Sequence, residues 1–444
     1  VTLGAAISAT NVTGNLAIGS GLFSSGGYNM VGTGSSTVTL SNGAQFDQTG
    51  TSALSSFGGF TLGATSLYRL HTTTTPFTLA TLTYGNVIIS PQANNVTVAP
   101  GAGTLSVAGY LTLGGVGAYT GITVNIDTSD PTFNVDGDVT ISANHTLTLS
   151  ATGTTTFGGS WTNAGTLTHS SGTVTFDATD MGNTINNNSS SFYNVTFSGS
   201  GAEWSPLTNT MTVANDLKVS AGTINNAAGS ASITVNGAVS CNGSCGTVTL
   251  TAGTFMQNIA AAKAFGTSVS GTTAWSFYNL TFSSSSGSNT ITTSSTGTGN
   301  ITVSGLLTIG VNTTLDAANR TWILSATGTV FTKTGTLTPN TATFQYTGNG
   351  ATTVAAATYT NLTLSPTITA NTVYTGGGAI VVTGNLTMNP DAGSAYSLTF
   401  NFGGALTGPP AITIGRQNSA TANLSTTASN HGITAASFAI NAGG

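Results

Sequence analysis

A seven-residue pattern returns four times along this chain, and it limits the possible folds more than any other feature. The pattern is an aromatic residue, any residue, Asn, an apolar residue, any residue, an apolar residue and Ser, at 84–90, 192–198, 277–283 and 359–365. A second pattern, Val-x-Gly/Asn-x-Leu/Val-x-apolar, follows each copy by a similar gap, and these second copies begin at Val107, Val213, Val303 and Val382. The fixed order predicts a repeat architecture whose super-repeat is roughly 80 to 110 residues long.

Within each super-repeat the apolar residues alternate with Thr, Ser or Asn. Three examples are the triplets Ile-Thr-Val at 233–235, Val-Thr-Leu at 248–250 and Ile-Thr-Val at 301–303. Alternation at a period of two, with many β-branched residues, is typical of strands and not of helices. The sequence therefore predicts an all-β protein.

The apolar triplets recur about every 20 residues, which favours a parallel β-helix, or β-solenoid, of about 20 turns. Asn-Gly and Asp-Gly dipeptides, which tight hairpins prefer, are few. Tandem β-sandwich modules are the alternative fold. We divide the chain into an N-terminal β segment (1–83) that caps the solenoid or donates a strand, the solenoid repeats (84–400) and a C-terminal β segment (401–444) at a subunit contact.

The second pattern also predicts which side chains point inward, because its first and fifth positions are apolar in every copy. We expect these residues to be buried and to stack on the neighbouring turns. They are Val107, Leu111, Val213, Leu217, Val303, Leu307, Val382 and Leu386.

Composition excludes several classes of function. Only 4% of the residues are charged, against about 25% in an ordinary soluble domain, so Thr, Ser and Asn must wet the surface. Six Lys and Arg residues in 444 cannot provide the basic footprint that nucleic-acid binding needs. No apolar run approaches the ~18 residues of a membrane-spanning helix, so we expect no membrane span.

The phrases at 158–168 (GGSWTNAGTLT) and 191–197 (SFYNVTF) resemble repeats of large secreted microbial surface proteins of the filamentous-haemagglutinin or autotransporter-passenger style. The resemblance extends, with interruptions, from about Tyr84 to Met388. It implies a long β-solenoid stalk outside the cell or on its surface, for adhesion or matrix building. It implies no catalytic residues.

Catalytic groups are scarce. Hydrolytic sites use titratable groups in pairs, whereas this chain has a single Glu, Glu203, and four histidines in Thr/Ser/Asn-rich surroundings. We predict that the protein is not an enzyme. An enzyme acting on polysaccharide is the least favoured function.

One acidic cluster stands out, since four of the eleven acids lie close together at Asp127, Asp130, Asp136 and Asp138. Carboxylates are ligands that Ca²⁺ prefers, so the cluster is a candidate calcium site, and calcium is the single cofactor that the sequence suggests. A solvated polar loop before the strand at Val135 is the alternative.

The two cysteines, Cys241 and Cys245, bracket Asn-Gly-Ser. In an extracellular chain this spacing predicts a disulfide bond that closes a tight loop. Free thiols are the alternative, and zinc is disfavoured because it takes four ligands and no His lies nearby.

The N-terminal stretch is apolar, and the first 46 residues contain no charged side chain and no Pro. Undefended strand edges of this kind invite pairing with another chain. We expect a homopolymer joined head to tail by edge stacking or a donated strand, although this segment could instead cap its own solenoid. The predicted assembly residues are Val1, Leu3, Ile7, Val12, Leu16 and Ile18.

Two functions follow from these features. The first is a structural protein, a stalk or a subunit of a cell-surface filament or adhesive fibre, whose partner is another copy of itself. The second is an adhesin module that binds host or matrix glycans through an exposed face, although aromatic residues lie in a core more often than on such a face. The aromatic residues considered for that face are Trp161, Trp204, Trp275 and Trp322.

Overall fold

The computed structural model describes residues 14–26, 28, 30, 32–49, 57–115, 119–241, 245–267, 273–293, 299–408, 411–426 and 435–440. All regular structure in these ranges is β-strand. The chain divides into two compact units. Unit 1 comprises residues 1–214 and 227–229, and unit 2 comprises residues 215–226 and 230–444.

Unit 1 contains strands β1 to β25. They are β1 Leu16–Ile18, β2 Leu22–Ser24, β3 Thr37–Leu40, β4 Gln45–Gln48, β5 Gly59–Leu62, β6 Leu67–Leu70, β7 Phe77–Leu79, β8 Thr83–Tyr84, β9 Asn86–Ile89, β10 Thr97–Pro100, β11 Thr104–Val107, β12 Leu111–Leu113, β13 Thr123–Asn125, β14 Thr132–Val135, β15 Val139–Ile141, β16 Thr146–Thr148, β17 Thr155–Phe157, β18 Trp161–Asn163, β19 Thr166–Thr168, β20 Thr173–Phe176, β21 Asn183–Asn186, β22 Ser191–Phe192, β23 Asn194–Phe197, β24 Glu203–Pro206 and β25 Met211–Val213.

Unit 2 contains strands β26 to β54. They are β26 Leu217–Val219, β27 Thr223–Asn225, β28 Ile233–Val235, β29 Val239–Ser240, β30 Thr247–Thr249, β31 Thr254–Ile259, β32 Lys263–Thr267, β33 Trp275–Phe277, β34 Asn279–Ser284, β35 Asn289–Thr293, β36 Ile301–Val303, β37 Leu307–Ile309, β38 Thr313–Asp316, β39 Thr321–Leu324, β40 Gly328–Thr329, β41 Phe331–Lys333, β42 Thr336–Thr338, β43 Thr343–Tyr346, β44 Thr352–Val354, β45 Thr358–Leu364, β46 Thr372–Gly376, β47 Ile380–Met388, β48 Asp391–Ala392, β49 Ser397–Phe402, β50 Leu406–Thr407, β51 Ala411–Ile414, β52 Gln417–Asn418, β53 Thr421–Thr426 and β54 Ser437–Ile440.

Strands pair in parallel with the equivalent strand of the next turn. In unit 1, for example, Val87 pairs with Leu111, Leu111 with Val139, and Val139 with Trp161. This pairing confirms the predicted β-solenoid, which has about 17 turns counted over both units. Tandem sandwiches are the wrong alternative, because sandwich sheets are built from antiparallel strands.

The turns vary in length, and many of them are longer than the 20 residues that the triplet spacing suggests. Leu111 to Val139 is a step of 28 residues, whereas Thr343 to Asn361 is a step of 18. Loops of variable length between the strands take up the difference, and the turn count is therefore lower than the 20 expected.

The interior is made of columns of apolar side chains, one from each turn. Phe157, Phe176 and Phe197 occupy one column in register, with ring centroids 6.1 and 5.3 Å apart along it. The eight residues predicted to point inward are all at most 3% exposed, which confirms the register read from the sequence. They are Val107, Leu111, Val213, Leu217, Val303, Leu307, Val382 and Leu386.

Asn residues in the left-handed backbone region lie in the corners that precede several strands. Asn144 has φ 64° and Asn312 has φ 57°. Asn tolerates this region better than most L residues do, because its short polar side chain can bond locally. Single Asn residues thus form turns in this parallel fold, whereas an antiparallel fold would use Asn-Gly dipeptides in its hairpins.

The predicted segment boundaries at residues 83 and 400 stay a prediction. The division between the two compact units falls instead between residues 214 and 230.

Candidate functional site

The four tryptophans lie in the interior. Trp161, Trp204 and Trp322 are fully buried and Trp275 is 4% exposed. The Trp161 indole Nε1 donates a hydrogen bond to Asn187 Oδ1 at 2.9 Å, also in the interior. The suggestion that these four rings form an exposed glycan-binding face is therefore wrong, because each ring fills a core column.

The repeated Asn of the seven-residue pattern links successive turns. Asn86 Oδ1 accepts a hydrogen bond from the Tyr110 backbone N at 3.1 Å, and Asn279 Oδ1 accepts one from the Leu306 N at 2.9 Å. Asn361 Oδ1 accepts one from the Asn385 side chain at 3.1 Å. The repeated Asn therefore forms a hydrogen bond between turns, and each such bond contributes about 1 kcal/mol to stability.

The four clustered aspartates bond separately and do not converge. Asp127 accepts a hydrogen bond from the Ala151 N at 2.8 Å, and Asp138 accepts one from the Ser160 N at 2.8 Å. Asp130 accepts one from Ser150 Oγ at 2.5 Å; Asp136 accepts one from Asn134 Nδ2 at 2.6 Å. Among the described residues no group of three or more His, Cys, Asp or Glu side chains could hold a metal ion. Three of these acids, Asp127, Asp130 and Asp138, thus link neighbouring turns, and the calcium site stays a prediction.

The two cysteines are bonded as the sequence predicts. The Cys241 and Cys245 sulfurs are 2.01 Å apart in a disulfide, and Cys241 is 2% exposed. The bond joins two residues that are four positions apart in the sequence.

His71 has an acidic neighbour that its sequence surroundings do not reveal. Its Nδ1 lies 4.0 Å from Asp47 Oδ2, and Arg69 Nη1 lies 3.5 Å from Asp47 Oδ1. Burial lowers the pKa of His71 below 6.5, the Asp47 carboxylate opposes the shift, and Arg69 adds to it. Asp47 pairs with Arg69 of the next turn. A sequence argument would therefore have needed the length of this one turn to bring His71 close to Asp47.

The predicted assembly residues fall partly outside the described ranges. Val1, Leu3, Ile7 and Val12 lie there, whereas Leu16 and Ile18 form the ends of β1 and pair with Val38 and Leu40 of β3. Ile18 is buried at 7% exposure, so one edge of this strand is already in use within its own unit.

The last described strand, β54, lies within the predicted C-terminal β segment (401–444), although no residue of this strand was singled out from the sequence. On β54, Phe438 is 55% and Ile440 is 74% exposed, yet both lie in register with residues of β51, Ile412 and Ile414. The signal was available, because Ser-Phe-Ala-Ile repeats the alternation of Ala-Ile-Thr-Ile one turn earlier.

Comparison of the chain with protein families, with curated proteins and with solved structures finds no match in any of the three. In the described ranges no helix has the length and apolar character needed to cross a membrane.

Proposed function

We propose that the protein is an extracellular structural protein, a stalk or a subunit of a cell-surface filament, whose copies join head to tail through the β edges of their end turns. The observation that carries this proposal is the uncovered end of the core at β54. The column Leu386–Ile412–Phe438 changes from buried (0% and 1% exposed) to 55% exposed at Phe438.

In the proposed contact, the second copy contributes strand β2 of its unit 1. Strand β2 pairs on one side with β4, and Phe23 stacks on Phe46 with ring centroids 5.9 Å apart. On β2, Leu22 is 44% exposed. Placed beside β54 of another copy, β2 would continue the parallel pairing and bring Phe23 over Phe438.

The energetics favour this contact. Full burial of a Phe or Ile side chain contributes about 1.5–3 kcal/mol, and an open strand edge gains backbone hydrogen bonds on pairing. A net charge of −5 over 444 residues gives little repulsion between copies. A disulfide supports an oxidising, extracellular location.

The test replaces the exposed apolar residue by a charged one. We expect the purified full chain to form filaments in electron microscopy and large species in sedimentation velocity. Phe438→Lys should leave single chains with unchanged circular dichroism, because an edge Lys blocks strand addition.

Val311→Lys is the matched control, since Val311 is 62% exposed but lies far from β54 in sequence. This variant should assemble like the wild type. A wild-type chain that stays monomeric at high concentration, or a Phe438→Lys chain that still forms filaments, would contradict the proposal.

A further inference from the structure

An open cleft of about 520 Å³ crosses four successive turns of unit 2. Its lining comprises Tyr278, Asn279, residues 304–306 and 325–327, Thr329 and Asn349. At a spacing of about 4.8 Å between parallel strands, four turns extend over about 14 Å. The volume lies within the roughly 300–1,000 Å³ range of ligand sites.

The cleft arises because the corner of the solenoid widens from turn to turn. The corner between β33 and β34 is the single residue Tyr278, the next is 304–306, and the third is 325–330, which includes the short strand β40. The longer third corner pairs in parallel with β44 of the next turn through Gly328 and Thr352. The third corner therefore forms a wall of the cleft beside the two shorter corners.

Close stacking of the first two corners sets the floor. The Gly305 N donates to the Tyr278 carbonyl O at 2.7 Å, and a Cβ at Gly305 would lie 2.5 Å from Asn279 Oδ1. A side chain at this position would push the two turns apart. The Asn279 Oδ1 already accepts a hydrogen bond from the Leu306 N. This oxygen therefore stabilises the floor of the cleft, and we do not count it among the ligand-binding groups.

The walls of the cleft carry polar side chains that form no hydrogen bond within the described part of the chain. Thr327, Thr329 and Asn349 are exposed, and no hydrogen bond within the described residues engages their side chains. Tyr278 is 42% exposed at the first turn of the cleft. None of the lining residues is charged.

We infer that this cleft binds a neutral polysaccharide segment. Hydroxyl and amide side chains match the donors and acceptors of sugar hydroxyls, and an exposed aromatic ring with a polar tip offers an apolar surface to a sugar ring. An uncharged lining gives no preference for an acidic chain. The long, open shape across four turns suits a chain of sugar rings better than a compact ligand.

This inference does not rest on head-to-tail assembly, and the experiment keeps the two apart. Binding is measured on the full chain carrying Phe438→Lys, so that assembly cannot mask the cleft. The probes are neutral hexasaccharides of glucose, xylose and N-acetylglucosamine, with hexagalacturonate as the acidic comparison, each titrated by calorimetry.

We expect at least one neutral hexasaccharide to bind and hexagalacturonate not to bind. Tyr278→Ala should weaken binding about five- to tenfold, Thr329→Val and Asn349→Ala should each weaken it less, and Tyr278→Phe should retain most of it. Tyr110→Ala is the matched control, because Tyr110 is a 38% exposed corner residue of the other unit, and its loss should leave the affinity unchanged.

Three results would overturn the inference. They are the absence of binding by every neutral probe at millimolar concentration, equal affinity of the Tyr278→Ala chain, and binding of hexagalacturonate alone. Circular dichroism of each variant confirms that a loss of binding is not a loss of fold.

Discussion

The turn at β47 and the turn at β54 carry the same alternation of apolar and polar residues and the same register, but they differ in what covers them. Leu386 and Met388 on β47 are fully buried, with a neighbouring turn on each side. Phe438 and Ile440 on β54 have β51 on one side and are more than half exposed. Alternation therefore determines the direction in which a side chain points, whereas burial depends on a second neighbouring turn.

The largest expected loss of stability comes from truncating a buried side chain in one of the apolar columns. Leu307→Ala should lower the free energy of unfolding by about 2–5 kcal/mol, because Leu307 is fully buried and leaves a cavity between turns. Val311→Ala, on an exposed side chain four residues on, should change it by about 0.5 kcal/mol or less. Urea unfolding followed by circular dichroism measures both. Equal losses in the two variants would show that the apolar column containing Leu307 contributes no more to stability than the surface does.

Truncation at the uncovered end should behave like the surface control. In single chains, Ile440→Ala should change the free energy of unfolding by about 0.5 kcal/mol or less, because Ile440 is 74% exposed. The same urea titration, run on the Phe438→Lys background, makes the measurement. A loss as large as that of Leu307→Ala would mean that β54 is covered within its own chain.

A smaller effect is expected from the bonds between turns. Asn279→Ala removes the acceptor of the Leu306 N and should cost about 1 kcal/mol. Asn349→Ala provides the comparison, because no such bond depends on Asn349 in the described part of the chain. If both variants unfold at the same urea concentration as the wild type, the repeated Asn does not stabilise the stack.

Two buried histidines give a pH dependence of known sign. Burial lowers the pKa of His71 and of His145 below the ordinary 6.5. Below pH 6.5 the unfolded chain therefore binds more protons than the folded chain, and stability falls as the pH falls through the folded-state values. Thermal unfolding at pH 7.5, 6.5, 5.5 and 4.5 should show the decline, and His71→Gln/His145→Gln should reduce it. A wild-type melting temperature that rises on acidification would contradict the assignment.

The smallest effect concerns the disulfide. Mass spectrometry after non-reducing purification should find Cys241 and Cys245 bonded. Cys241→Ser/Cys245→Ser should alter local order and little else, because the closed loop is short. Two free thiols in the purified wild type would refute the pairing.

The alternation of apolar residues predicted the strands and the inward face at positions such as Val107 and Leu307, and the recurrence of the triplets with few hairpin dipeptides predicted the parallel stack. It could not predict the turn lengths, because a loop between β12 and β15 can grow without changing either strand. For the same reason it could not place His71 beside Asp47, since that contact depends on the length of one particular turn. The Tyr278 cleft depends on three corner loops of different length, and the sequence marks none of them as a wall.

The central claim of the proposed assembly is that β54 of one copy lies beside β2 of the next copy. Ser24→Cys and Ala439→Cys chains, purified separately and mixed under mild oxidation, test it directly, because neighbouring strands bring paired Cα atoms within the roughly 4.4–6.8 Å that a disulfide spans. We expect a cross-linked dimer in this mixture on non-reducing gels and none when Ser24→Cys is mixed with Val311→Cys. A mixture of Ser24→Cys and Ala439→Cys that stays monomeric, or that cross-links no better than the control, would contradict the account.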